Sequence, residues 1–263
     1  MIENKSEYLN SVDINKVIAL VPARGGSKGV PKKNIQLVKG YPLIAYSIAV
    51  GVLSNCIDRV IVSTDSEEIA QIARHFGAEV PFIRPTEYAL DSSGDIEFVE
   101  HAIQYLYKNE GSIPGYFVHL RPTTPFRKVE IVDKAIMECR DWADCSSLRS
   151  GHMASESPYK WFLKSQEGYF KSINESIDND AANTARQKFP DVYIPDGYVD
   201  VLKSSYVIQN NKLHGKKMIG FESPDCTEVD TIEDLDYIQY QIEKKGSEIY
   251  DFLKQNFKER IAQ

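Results

Sequence analysis

The residues best suited to bind an anion lie in one short segment near the start of the chain, residues 22–34, with the sequence PARGGSKGVPKKN. The segment contains Arg24, Lys28, Lys32 and Lys33 and no acidic residue. Its glycines let the backbone approach a ligand closely and adopt positive φ angles. The pattern is neither a Walker A loop nor a G-x-G-x-x-G turn. Because the segment directly follows an apolar run, it is suited to bind a polyphosphate at the carboxyl end of a strand. A solvated basic turn is the alternative.

A second candidate segment is acidic and lies near the other end of the chain. Glu228 and Asp230 alternate with an apolar residue, so in an extended segment both carboxylates face the same way. Hard oxygen ligands that point at a phosphate site are what Mg²⁺ requires, and the pair therefore predicts a metal site. The alternative is that the acidic residues only cap a helix that begins near Thr231. We assign that capping role to Glu233 and Asp234.

The elements that must position these segments alternate between strand and helix patterns along the first 150 residues. Such alternation predicts an α/β fold with a mostly parallel sheet and helices on both faces. The predicted strands are Lys16–Val21, Arg59–Ser63, Glu79–Ile83, Tyr116–Leu120, Cys145–Leu148 and Met218–Phe221. The predicted helices are Pro42–Ser54, Ser66–Phe76, Asp95–Tyr107, Lys128–Cys139 and one from Thr231 onward.

The alternation is interrupted between residues 151 and 206, where prolines and aromatic residues are frequent. Trp161–Lys164 and Tyr169–Ile173 flank a Gln-Glu-Gly turn, which predicts a hairpin. We predict that residues 151–206 form an antiparallel subdomain inserted within a single domain of residues 1–263. A lobe of this size cannot easily bury so many rings alone, so the pairing of two lobes in a homodimer is expected.

Composition and charge narrow the classes of function. The chain has 263 residues and ordinary globular composition, with a net charge of −7 from 31 basic and 38 acidic residues. This negative charge argues against general binding of nucleic acid or a membrane surface.

We expect no transmembrane helix, and the first residues read as a short polar extension without the features of a signal peptide. Four cysteines without a C-x-x-C pair are expected to be reduced thiols in a cytoplasmic protein.

The ordered motifs resemble those of the acylneuraminate cytidylyltransferase family, the enzymes that make CMP-sialic acid and related CMP-sugars. Residues 22–34 are similar to the family signature A-R-x-x-S-K-G-x-x-x-K-N, and the resemblance covers about Val17 to Ile242. Further motifs in the family's order are R-V-I-V-S-T-D at Arg59–Asp65, R-P at Arg84–Pro85, R-P-T-T-P-F-R at Arg121–Arg127, S-P-Y-K at Ser157–Lys160, A-R-Q-K-F-P at Ala185–Pro190 and E-V-D-T-I-E-D-L at Glu228–Leu235.

The resemblance implies a three-layer, Rossmann-like nucleotidyltransferase fold with an inserted dimerisation subdomain. It implies transfer of CMP from CTP to an anionic 2-keto-3-deoxy sugar acid, with release of pyrophosphate. The implied cofactor is Mg²⁺, held by Glu228 and Asp230, and the implied catalytic residues are Arg24, Lys28 and Asp230. The family usually has Asp at the first metal position, so Asp230 is the stronger candidate.

By family position, Arg24 and Lys28 hold triphosphate oxygens, Lys33 also reaches the phosphates, and Asn34 and Arg84 lie beside the base. The implied nucleotide-binding residues are Arg24, Gly25, Gly26, Ser27, Lys28, Lys33, Asn34, Arg84 and Asp95. At the last of these positions sialate enzymes often have Ser. A carboxylate there can accept a hydrogen bond from cytosine N4 but also from guanine N1 and N2, so use of GTP is an alternative to CTP.

The sugar side departs further from the family pattern. The implied substrate-binding residues are Arg121, Lys160, Arg186, Asp196 and Asp200. The family commonly has Gln in place of Arg121 and Asn-Gly-Ala-x-Tyr in place of Asp196-Gly-Tyr-Val-Asp200. Arg121 either contacts the sugar or forms an ion pair with Asp196 or Asp200. These departures favour a substrate other than N-acetylneuraminate, such as legionaminate, pseudaminate, deaminated neuraminate or a Kdo-like acid. A nucleotide-binding homologue without catalytic activity is the alternative of another class.

Overall fold

A computed structural model describes residue 2 and residues 4–27, 29–174, 176–224 and 226–258. Its helices are α1 (Lys5–Asn10), α2 (Leu43–Leu53), α3 (Glu67–His75), α4 (Asp95–Glu110), α5 (Val129–Asp141), α6 (Ser204–Asn210), α7 (Ile232–Lys245) and α8 (Glu248–Asn256). Its strands are β1 (Val12–Pro22), β2 (Leu37–Val38), β3 (Tyr41–Pro42), β4 (Arg59–Ser63), β5 (Ile113–His119), β6 (Ser147–Met153), β7 (Phe162–Lys164), β8 (Phe170–Ser172), β9 (Tyr193–Lys203) and β10 (Met218–Glu222). The predicted helices correspond to α2, α3, α4, α5 and α7, and the predicted strands other than Glu79–Ile83 correspond to β1, β4, β5, β6 and β10. The sequence analysis did not predict α1, α6, α8 or β9.

The central sheet contains six strands in the order β10-β6-β9-β5-β1-β4. β1 pairs in parallel with both β4 and β5, and β10 pairs in parallel with β6. β9 runs antiparallel between β5 and β6, so it joins the two parallel parts of the sheet. The predicted mostly parallel sheet is confirmed, and its parallel strands β1, β4 and β5 end at one common edge.

Apolar side chains of the sheet alternate between its two faces and build a separate core on each. On β1, Val17, Ala19 and Val21 pack with α2, α3, α5, α7 and α8, whereas Ile18 and Leu20 pack with α4 and α6. Both faces of the sheet are therefore covered, which gives the predicted three layers. No helix in the described part of the chain has the length and apolar character needed to cross a membrane.

Local capping signals in the sequence set the ends of several helices. The Ser66 side chain caps α3 by accepting a hydrogen bond from Ile69 N, and two acidic residues follow in its first turn. α7 begins with a capping box in which Thr231 and Asp234 bond to each other's backbone. The capping role predicted for Asp234 is confirmed.

Two sequence predictions about local structure are wrong. Residues 79–83 form no strand, because only Glu79 makes an isolated bridge to Ile61 and Pro81 follows shortly after it. The polar extension at the start of the chain contains helix α1, whose Tyr8 is buried against the core on the α4 face. Ile2, Tyr8 and Leu9 contribute to that core, and their spacing shows no regular helical periodicity in the sequence.

The predicted hairpin is present as the paired strands β7 and β8. β6 and β9 flank this region and belong to the central sheet, so the lobe outside the sheet is shorter than residues 151–206. The lobe leaves large apolar side chains exposed, among them Trp161, Leu163 and Phe170. Its role in dimerisation stays a prediction.

Candidate functional site

A cleft of about 430 Å³ opens at the common edge where β1, β4 and β5 end. One wall is the basic segment that follows β1, and the opposite wall is the chain that leads into α4. Among the residues that the structure describes, four cationic side chains from three separate segments line it: Arg24, Lys33, Arg84 and Arg121. In a protein with a net charge of −7, this concentration of positive charge marks a site for an anionic ligand.

The basic segment is held against the sheet through its backbone. Gly25 N donates to Asp65 Oδ1 at 2.8 Å, and the Asn34 side chain donates to the Arg24 carbonyl oxygen at 2.9 Å. Ser27 lines the cleft, and a β-carbon added to Gly26 would have no atom within 4 Å. The loop is therefore anchored at both ends and open in its middle.

Lys28, which the sequence predicts to bind phosphate, lies outside the described residues. Lys32 belongs to the same loop but forms an ion pair with Glu68 at 2.7 Å. It does not line the cleft. The cations of the loop are therefore not equivalent, and Arg24 and Lys33 are the described ones that face the site.

Arg24 and Arg84 are oriented by different contacts. Arg24 forms an ion pair with Asp91 at 3.0 Å and donates to the Leu90 carbonyl oxygen at 2.9 Å. Arg84 is only 5% exposed, donates to Ser63 Oγ at 2.9 Å and lies 4.9 Å from the centre of the Phe98 ring. Burial lowers the pKa of Arg84 to about 10, so its guanidinium remains charged at neutral pH.

The acidic segment meets the basic loop beside the cleft, where Glu228 and Asp230 contact lining residues without lining the cleft themselves. Glu228 and Asp230 are exposed and the residue between them is buried, so the predicted alternation is confirmed. Lys33 Nζ donates to Asp230 Oδ1 at 2.9 Å, and Glu228 Oε1 accepts from Thr123 Oγ1 at 3.1 Å. Backbone hydrogen bonds from Asp230 and Thr231 lower the pKa of Asp234 and fix the start of α7.

The carboxylates of this segment fit a magnesium ion whose remaining ligands come from a substrate. The described residues include no group of three or more His, Cys, Asp or Glu side chains placed to hold a metal. Glu228 and Asp230 nevertheless offer two exposed carboxylates, and Mg²⁺ is commonly held by one or two carboxylates together with phosphate oxygens and water. The metal site itself stays a prediction.

Arg121 bridges two carboxylates at the floor of the cleft. Its guanidinium donates to Asp200 Oδ2 at 2.8 Å and to Asp95 Oδ2 at 2.6 Å. Burial alone would lower the pKa of Arg121, but the charges of Asp200 and Asp95 outweigh burial and raise it. Of the two ion pairs considered from the sequence, the pair with Asp200 is therefore the one formed.

The two acidic residues that the sequence assigns to the sugar are turned into the protein. Asp196 accepts hydrogen bonds from Ser150 Oγ at 2.7 Å and from Tyr198 N at 3.0 Å. Both Asp196 and Asp200 are buried, and neither lines the cleft. Direct contact with a sugar would require these carboxylates to leave their present partners, and it stays a prediction.

Lys160 and Arg186 lie in the lobe and do not line the cleft of the same chain. Arg186 donates to the carbonyl oxygens of Ala154 and Ser155 at 2.6 and 2.8 Å, which ties the lobe to the end of β6. Their predicted contact with the sugar carboxylate is therefore not made within one chain by this arrangement, and it stays a prediction.

Sequence reasoning missed three residues that shape the site. Asp65 holds the basic loop by accepting a hydrogen bond from Gly25 N, whereas its neighbour Ser66 caps α3. Asp91 orients Arg24. Arg127 is buried behind the cleft and donates to the carbonyl oxygens of Arg121 and Gly197. The run of Asp, Ser and Gly before α4 was a usable signal for Asp91, whereas nothing local distinguishes the role of Arg127.

Residues 18–219 match the family model described as cytidylyltransferase. Across 245 residues the chain is 30% identical to the post-translational flagellin modification protein B of Campylobacter coli, covering 91% of this chain and all of that protein. It is 28% identical over 240 residues to the CMP-N,N'-diacetyllegionaminic acid synthase of Campylobacter jejuni, covering 90% of this chain and 99% of the relative.

Among solved structures, CMP:2-keto-3-deoxy-manno-octonic acid synthetase complexed with CTP superposes with a TM-score of 0.63. The two chains are 18% identical, and the match covers 88% of this chain and 99% of the other. At this level of identity the likeness concerns the fold, which agrees with the three layers described above.

Proposed function

The chain belongs to the cytidylyltransferase family, and from this premise we propose that it transfers CMP from CTP to an anionic 2-keto-3-deoxy sugar acid of the nonulosonate type. The observation that carries this proposal is the convergence of Arg24, Lys33, Arg84 and Arg121 on one cleft at the carboxyl ends of three parallel strands. Open α/β sheets bind nucleotides at this edge. The similarity to a CMP-N,N'-diacetyllegionaminic acid synthase supports a nonulosonate as the acceptor.

The proposed reaction forms one oxygen–phosphorus bond and breaks another. The anomeric hydroxyl oxygen of the sugar acid attacks the α-phosphorus of CTP in line, its proton leaves, and pyrophosphate departs with the electron pair of the broken bond. Negative charge builds up on the phosphate oxygens, so catalysis depends on positioning and on fixed positive charge. Arg24, Lys28 and Lys33 would hold the triphosphate and neutralise that charge.

Glu228 and Asp230 would hold the proposed Mg²⁺ through their exposed carboxylates. When bound, the ion supplies positive charge to the phosphate oxygens of the nucleotide. Lys33 contacts Asp230, so in this proposal the same lysine orients a metal ligand and faces the triphosphate. Asn34 and Arg84 would lie at the base, with Gly25, Gly26 and Ser27 along the phosphates. Asp95 is bonded to Arg121, and its predicted contact with the base stays a prediction.

A second subunit would complete the sugar side. Lys160 and Arg186 do not line their own cleft, and the lobe that carries them exposes several large apolar side chains. Phe170 and Tyr169 are 63% and 75% exposed, and adjoining exposed apolar side chains mark an interaction surface. We propose a homodimer in which the lobe of one subunit covers the other and brings these two cations to its sugar acid.

We also place the reaction in the cytoplasm. The four cysteines of the chain are all free thiols, although Cys139 and Cys145 have their sulfur atoms 3.7 Å apart. Thiols that remain reduced are typical of a reducing compartment.

Pyrophosphate release tests the proposal. The chain is incubated with each of the four common ribonucleoside triphosphates and with N-acetylneuraminate, N,N'-diacetyllegionaminate, pseudaminate, deaminated neuraminate and Kdo. We expect release with CTP and a nonulosonate other than N-acetylneuraminate, because Arg121, Asp196 and Asp200 replace the residue types common in sialate enzymes.

Three outcomes would revise the proposal. Release with GTP but not CTP would show that GTP is the nucleotide substrate. A clear preference for N-acetylneuraminate in direct competition would overturn the proposed selectivity. An absence of release with every pair, from protein that binds CTP, would favour a nucleotide-binding homologue without catalytic activity.

A further inference from the structure

Arg121 is held by two carboxylates that differ strongly in burial. The side chain of Asp200 is 2% exposed, whereas that of Asp95 is 42% exposed. Asp200 has a second cation nearby, because Arg149 Nε lies 3.7 Å from its other oxygen. Two arginines and two aspartates therefore form a chain of alternating charge that runs from inside the sheet to the cleft.

The two arms of Arg121 differ in how easily they can be broken. Breaking a buried pair leaves an uncompensated charge away from water, which is strongly unfavourable. The pair with Asp95 is half-exposed, with side chains 20% and 42% exposed, and it is worth less than a buried pair because water and salt can replace the partner. The ion pair of Arg121 with Asp200 is therefore permanent, and its ion pair with Asp95 is exchangeable.

The surroundings keep Arg121 in place if Asp95 leaves. A β-carbon on Gly197 would lie 3.2 Å from Arg121 Cδ, so the stem of the arginine is closely packed. Asp95 is the first residue of α4, a helix of 16 residues, and a carboxylate at that position is stabilised by the helix dipole and by water. Both partners thus retain favourable surroundings after they separate.

We propose that Asp95 acts as a releasable latch: in the free enzyme its carboxylate occupies the edge of the Arg121 guanidinium group that binds the carboxylate of the sugar acid. The charges of the four residues cancel while the latch is closed. When Asp95 turns away, one net positive charge faces the cleft, where an anionic substrate can take the vacated position. This inference rests on the proposed function and makes Asp95 a determinant of sugar-acid affinity.

The test compares Asp95→Asn with Asp91→Asn. Both variants remove one negative charge from the wall of the same cleft, but only Asp95 is bonded to Arg121. KM for the sugar acid that supports turnover is measured at saturating CTP, with kcat from the same data. Asp95→Asn should lower that KM about two- to fivefold, in proportion to the modest strength of an exposed ion pair. Asp91→Asn should change it by less than half as much.

A second readout does not depend on turnover. The sugar acid alone, without nucleotide, should raise the thermal unfolding temperature of Asp95→Asn more than that of the wild type. Asp200→Asn, which breaks the buried pair, should instead lower the unfolding temperature of the free protein strongly, whereas Asp95→Asn should lower it much less.

The outcomes separate this inference from the proposed function. A wild type that turns over, with equal sugar-acid KM values in Asp95→Asn and Asp91→Asn, would overturn the latch and leave the function intact. A higher sugar-acid KM in Asp95→Asn would also overturn it, because Asp95 would then assist the substrate directly. If the wild type releases no pyrophosphate with any sugar acid, both the proposed function and the latch are wrong.

Discussion

Lys33 Nζ lies 2.9 Å from Asp230 Oδ1, although 197 residues separate the two side chains in the sequence. The same ammonium group donates to the Val229 carbonyl oxygen at 2.9 Å. The backbones also approach closely, since a β-carbon added to Gly29 would lie only 2.9 Å from the Asp230 carbonyl oxygen. The segment suited to phosphate and the segment suited to metal are therefore in direct contact.

Gly29→Ala should separate these two segments and impair turnover. The new methyl group would be too close to the backbone oxygen of Asp230, so the loop or the acidic segment must shift by several tenths of an ångström. Misplacement of catalytic groups lowers kcat strongly, and we expect a loss of about tenfold or more. Pyrophosphate release from purified variants measures the effect. Gly220→Ala is the control, because Gly220 lies on β10, does not line the cleft, and has nothing within 4 Å of its added carbon; equal losses in both would contradict the packing argument.

Arg24→Ala and Lys28→Ala should each weaken nucleotide binding or lower kcat by about tenfold or more. Hydrogen bonds to charged groups contribute about 1.5–3 kcal/mol, and about 1.4 kcal/mol corresponds to a factor of ten. Titration with CTP and steady-state turnover measure the two quantities. Lys32→Ala is the control from the same loop, because Lys32 pairs with Glu68 outside the cleft. Unchanged binding and turnover in both test variants would remove the loop from the triphosphate site.

Asp230→Ala should abolish magnesium-dependent turnover while the unfolding temperature stays close to that of the wild type. Its side chain is 69% exposed, and surface substitutions usually change stability by less than about 0.5 kcal/mol. Glu228→Asp should remain active, because Asp is the residue that the family usually has at this position. Turnover is followed against Mg²⁺ concentration. Normal turnover of Asp230→Ala at low Mg²⁺ would show that this carboxylate is no metal ligand.

The proposed homodimer predicts a mass near twice 29.8 kDa by light scattering at micromolar concentration. Trp161→Asp places a charge on the exposed apolar surface of the lobe and should shift the mass toward the monomer while activity falls. Ile14→Asp is the control, because Ile14 is also a largely exposed apolar residue but lies on β1. A monomeric wild type with full activity would eliminate the shared site.

The sequence alone determined the fold class and the place of the basic loop. These features depend on local signals: apolar runs that predict strands, caps such as Ser66 and Thr231, and a loop that directly follows β1. The alternation of Glu228 and Asp230 about a buried residue also follows from strand geometry alone. Each of these predictions needs only residues that are close together in the chain.

Only the tertiary structure decided which charges meet. Arg121 is 79 residues from Asp200 and 26 from Asp95, and no periodicity in the sequence links these three positions. They come together because β9 inserts antiparallel beside β5 and places Asp200 opposite the residues before Arg121. Strand order is set by long-range packing on both faces of the sheet, and it therefore decides whether an acidic residue contacts substrate or lies buried against an arginine.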